Sequence, residues 1–132
     1  MPPTAPDPEV LAQWLQSAWS DLLYSEIAPP EGAMYEQPSF HAQQAVEKAL
    51  KALLLSLDEE PPYIHDIRAL LALVRERMDL PASFEEAENL TAYAATTQYP
   101  SSLPPVSPED WQAAVRIARE VVEWVQQRLR RE

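Results

Sequence analysis

Fourteen prolines and a single glycine, Gly32, determine where helices can form in this 132-residue chain. A proline inside a helix removes a backbone donor and clashes with the preceding turn, so helices must lie between the prolines. The prolines fall at 2–8, 29–38, 61–62, 81 and 100–108, and each interval carries apolar residues at helical spacing. Asp7 is placed to cap a first helix that has Pro8 at its first position. Val10, Leu11, Trp14, Leu15, Ala18, Trp19, Leu22 and Leu23 then recur at three and four residues. Pro38 opens a second helix, along which Phe40, Val46, Leu50, Leu53 and Leu57 form an apolar seam that stops at the DEEPP loop. A third helix is predicted over 64–78, with Ile67, Leu70, Leu71 and Val74 inward. Ser83 and Glu86 give an S-x-x-E capping box for a fourth helix reaching about Gln98, with Leu90, Tyr93, Ala94 and Thr97 on its inner face. Ser107 and Pro108 open a fifth, in which Trp111, Ala114, Val115, Ala118, Val121, Val122, Val125 and Leu129 face the core. No segment alternates polar and apolar residues with β-branched enrichment, and no Asn-Gly or Asp-Gly turn occurs. The pattern predicts an all-α, up-and-down antiparallel bundle of about five helices. It forms one domain over 8–132 behind a flexible proline-rich tail, 1–7.

Composition excludes several kinds of chemistry. With no cysteine, thiolate metal sites, disulfides and cysteine nucleophiles are impossible. The N-terminal MPPTAPDPEV has neither a basic start nor an apolar stretch, so no signal peptide is expected and the natural compartment is the cytoplasm. The apolar runs at 53–57 and 69–74 are too short to cross a bilayer. The net charge of −11 is unevenly placed. Residues 1–108 hold 16 acids and 5 bases, whereas 109–132 hold five of each. Nucleic-acid affinity rests mostly on neutralised phosphates, so this surface repels a generic duplex.

The stretch FHAQQAVEKALKALLL, residues 40–55, concentrates the chemistry. It begins polar and ends apolar, and its polar half needs partners from another helix, another subunit or a ligand. His41, Gln44, Lys48 and Lys51 follow at spacings of three, four and three, which places them on one helix face. A histidine and two lysines there could hold a phosphate. The plainer alternative is an interface face with Lys48 paired to a carboxylate. His65 and Asp66 stand at the start of the third helix. Asp66 suits the positive helix end, and His65 is either held by a carboxylate or carbonyl of a neighbouring helix or acts as a proton carrier. Two histidines 24 residues apart form no recognisable metal-ligand pattern, so no metal or cofactor is expected. The tryptophans read as core residues and the aromatics are not interleaved with bases as a stacking platform requires.

The same stretch, followed by His65-Asp66-Ile67 and by Gln98-Tyr99-Pro100, resembles the HEPN family of small helical domains over most of the chain, from about Trp14 to Trp124. That resemblance implies a bundle of four to five helices that dimerises. It also implies a minimal nucleotidyltransferase as partner in a toxin–antitoxin or stress system, and a nucleotide or RNA as ligand. Many active members are metal-independent ribonucleases with an R-x4-6-H signature, in which arginine stabilises phosphorane charge and histidine moves a proton. Here the first arginine is Arg68, downstream of both histidines, so the signature is missing. The family's Arg-Tyr-Pro reads Gln98-Tyr99-Pro100, which keeps the helix-ending Tyr-Pro and loses the charge. The resemblance therefore points to a non-catalytic interaction or nucleotide-binding module. His41, Gln44, Lys48, Lys51, His65, Asp66, Arg68, Gln98 and Tyr99 are its candidate ligand or interface residues. An atypical ribonuclease using His41, His65 or Arg68 across a dimer, and a purely structural bundle, are the alternatives.

Overall fold

The computed structural model describes residues 7–90 and 105–130. Among these, the elements are α1 (Pro8–Ser25), α2 (Glu36–Ser56), α3 (Ile67–Arg75), a 3-10 helix (Ala82–Leu90) and α4 (Pro108–Arg130). The described residues are thus all-α, as the proline spacing and apolar periodicity require.

Local signals set most boundaries. The Asp7 carboxylate accepts from the Glu9 amide at 2.9 Å, with Pro8 at the first helical position of α1. Ser107 and Asp110 cap α4 reciprocally: the Asp110 amide donates to Ser107 Oγ and the Ser107 amide to Asp110 Oδ2. α2 starts at Glu36, two residues before the expected Pro38, because proline is tolerated within a first helical turn. Gly32, at φ +88, makes the left-handed turn between α1 and α2.

Two expectations need correction. α3 spans Ile67–Arg75 rather than 64–78, because the Asp66 side chain accepts from the Arg68 amide and fixes the start there. Ile64 and Met78 flank it and pack on the core from outside the helix. The segment after Pro81 is a 3-10 helix where an α-helix was predicted, and Ser83 does not act in a capping box. Its hydroxyl donates to Glu120 of α4 at 2.5 Å. Phe84, Ala87 and Leu90, spaced by three, are all buried, and a three-residue turn aligns them on one side where an α-helix would spread them. Tyr93, Ala94, Thr97, Gln98 and Tyr99, together with residues 1–6 of the tail, lie outside the described residues.

α2 is the central element. Fourteen of its 21 residues are buried, and it packs against α1, α3, α4 and the 3-10 helix. Ala42, Ala45, Ala49 and Ala52 let its neighbours approach closely, while Val46, Leu50, Leu53 and Leu54 fill the core. Each large aliphatic side chain taken fully out of water contributes about 1.5–3 kcal/mol. The start of α4 lies beside the end of α1 and the start of α2. Trp111 Nε1 donates to the Ser25 carbonyl at 2.7 Å, and the Tyr35 and Trp111 rings lie 5.4 Å apart.

The polar face of the second helix as candidate functional site

Asp21 organises the first cluster. It lies three residues after Ala18 on the inward side of α1 and is 9% exposed. Its carboxylate contacts His41 Nδ1 at 2.8 Å through one oxygen and accepts from Lys48 Nζ at 2.6 Å through the other. The Tyr24 ring stacks on His41 with centroids 5.4 Å apart. Asp21 bridges a histidine and a lysine that the sequence placed on one face, which leaves less positive charge for a phosphate than the spacing alone suggested.

A second cluster lies further along α2. Glu47 is 2% exposed, and its Oε1 lies 2.6 Å from Nδ1 of His65, a residue just ahead of α3. Lys51 Nζ lies 3.9 Å from the same oxygen and 5.6 Å from the centre of the Trp14 ring. In both clusters a buried carboxylate holds a histidine through Nδ1, the neighbouring-helix contact foreseen for His65. Gln44 turns instead to Gln43, donating to its Oε1 at 2.8 Å. Asp66 caps α3, and Arg68 points to Glu88 of the 3-10 helix at 3.4 Å. The structure thus brings His41 with Lys48, and His65 with Lys51, and leaves Gln44, Asp66 and Arg68 outside both clusters. Gln98 and Tyr99 fall outside the described residues.

Sequence reasoning missed Asp21, which ties this face to α1. Asp21 was hidden among apolar positions; its signal was an acid at the helical spacing of a buried stripe. Glu36, Ser39, Gln43 and Glu47, at spacings of three, four and four, form a second buried polar row on α2. Glu36 Oε1 accepts from the Val106 amide at 2.6 Å, which anchors the approach to α4. Ser39 Oγ and Gln43 Nε2 are buried without a hydrogen-bond partner among the described residues. Such atoms are costly, and their presence on a central helix marks a face shaped by more than packing. Among the described residues no three His, Asp or Glu side chains converge to hold a metal ion.

This helical bundle, built around a polar-to-apolar central helix, has a known counterpart. The family model for the HEPN domain matches residues 11–129, and the chain belongs to that family. A solved structure described as TT1696 from Thermus thermophilus is similar to it, with 28% sequence identity and a TM-score of 0.74. The match covers 89% of this chain and 96% of that one. Comparison with curated proteins gives no match.

Proposed function

We propose that this HEPN module works through partners and not as a nuclease: a homodimer in the cytoplasm that pairs with a minimal nucleotidyltransferase in a toxin–antitoxin or stress system, with a nucleotide or RNA as its ligand. The observation that carries this reading is an apolar surface left open at the α1–α2 corner. Tyr24, Ile27 and Met34 are each at least 55% exposed and line one groove with Pro29 and Pro30. Clustered exposed apolar side chains of this size mark contact surfaces more often than solvent-facing ones. The patch reaches the polar cluster through the Tyr24–His41 stack, so a partner docked there would also meet the imidazole. The absence of an arginine upstream of either histidine supports a non-catalytic role. Among the described residues no helix is long and apolar enough to cross a membrane.

Light scattering tests the dimer. At micromolar concentration the chain should run at twice its 15.0 kDa mass, and Ile27→Arg should return it to the monomer. A monomeric wild-type chain would remove the dimer from the proposal. Co-expression with the product of an adjacent nucleotidyltransferase reading frame should give a complex that survives gel filtration. RNA cleavage by the purified chain that disappears in His65→Ala would replace this reading with the ribonuclease one.

A further inference from the structure

Asp21 takes up both basic side chains of the first cluster, whereas Lys51 of the second lines a groove. The groove lies between α1, the end of α2 and the loop before α3, and its volume is about 300 Å³. Val10, Trp14 and Leu55 give it apolar walls, and Pro61 and Tyr63 form its outer side. The Tyr63 ring is fully exposed and Val10 is 39% exposed, so two apolar groups at this groove are in contact with water.

Lys51 lines the same groove, and its situation is unusual. The residue is only 7% exposed, yet among the described residues its ammonium makes no hydrogen bond. Its ion pair with Glu47 is long, at 3.9 Å, and the oxygen involved is held closer, at 2.6 Å, by His65. The remaining support is the face of Trp14. An ammonium has three donors to satisfy, and those of Lys51 are left to whatever occupies the groove that it lines. A groove that combines apolar and aromatic walls with one such donor is the usual form of a small-molecule site.

The charges at this groove narrow the ligand class. One under-neutralised cation suits a single negative charge. Asp7 and Glu60 also line the groove and oppose any anion in proportion to its charge, so a polyphosphate is excluded far more strongly than a single carboxylate seated on the ammonium. The aromatic and proline surfaces favour a flat ring. We infer that this groove binds a small aromatic monocarboxylate, with its carboxylate on Lys51 Nζ and its ring against Trp14. This site is separate from the α1–α2 corner assigned above to protein partners, and either assignment can fail without the other.

The probe is 2-naphthoate, compared with its uncharged analogue 2-naphthamide and with ATP, by titration calorimetry on the full chain. Naphthoate should bind, the amide should bind at least about tenfold more weakly, and ATP should not compete. Lys51→Met should abolish the preference for acid over amide while far-UV circular dichroism stays unchanged. Because that substitution touches a buried residue, Val10→Trp provides a second test. It fills the groove from an exposed position and should reduce naphthoate binding by a similar factor. Equal binding of acid and amide would overturn the proposal. So would undiminished binding by folded Lys51→Met, displacement by ATP, or no binding of naphthoate at millimolar concentration.

Discussion

At the scale of single residues, the chain places carboxylates where they decide what its cations can do. Asp21 holds His41 and Lys48 together, and Lys48 is three-quarters buried. Asp21→Ala would leave that ammonium without its partner. The expected loss is about 1–3 kcal/mol, seen as a lower urea midpoint with an unchanged slope. Asp21→Asn should cost less, because the amide oxygen still accepts one hydrogen bond. Glu47 has the same role beneath His65, with the difference that Lys51 stands farther from it, at 3.9 Å. The α2 half of this arrangement was legible in the sequence, because His41, Gln44, Lys48 and Lys51 repeat at helical spacing within one segment. The anionic half was not. Asp21 is 20 residues from His41, on another helix, and a spacing rule within one helix carries no information about which residues of its neighbours it meets.

At the scale of elements, the existence of α1, α2, α3 and α4 was readable, their exact ends less so, and the helix type after Pro81 least. Asp7-Pro8 and Ser107 act as the caps that local chemistry predicts, since a cap needs only its own few residues, while Asp66, expected inside the first turn of α3, caps it instead. The 3-10 helix after Pro81 was misread because its S-x-x-E pattern imitates a cap, while its three-residue burial period is set by α4 and α3 packing against it. Phe84 is the anchor of this element. It is fully buried and meets Trp124 edge-on, with centroids 5.5 Å apart at 82°. Phe84→Ala should cost about 3–5 kcal/mol in global stability, measured by denaturant unfolding. The end of α2 offers the opposite change. Asp58 takes φ +62 in a Schellman cap, in which the Glu59 amide donates to the Leu54 carbonyl at 3.0 Å. Glycine adopts that conformation without strain, so Asp58→Gly should stabilise the chain by about 0.5–1 kcal/mol and raise its melting temperature. No change in melting temperature would mean that Asp58 is already relieved by a local contact.

At the scale of the molecule, charge and closure are linked. The acid excess over residues 1–108 predicts weak, non-cooperative binding of short RNA by the isolated chain. Fluorescence anisotropy at low salt should show this, and tight, steeply salt-dependent binding would contradict it. The balanced final segment is where arginines pair across the bundle. Arg119 donates from Nε and Nη2 to both oxygens of Glu26, each at 2.7 Å, and from Nη1 to Glu123. Hydrogen bonds to Glu26 first and Glu123 second hold the guanidinium pKa above its ordinary value, against the opposing effect of burial. A base with a raised pKa stabilises the fold fully below its unfolded value and loses that effect only as pH rises past the folded one. Arg119 therefore stays charged wherever the protein folds, and no stability change with pH arises from it. Arg119→Lys keeps the charge but breaks the two-oxygen contact, and should cost about 0.5–1 kcal/mol in chemical denaturation.

The indole of Trp111 on the Ser25 carbonyl, 86 positions away in sequence, governs how the chain is made. While the ribosome is still translating, α1 and α2 can pair, but the seat for α4 stays open until residues 108–130 have left the exit tunnel. Nascent chains stalled before Trp111 should be cut readily within α1 by a protease, and chains extended far enough to free all of α4 should resist.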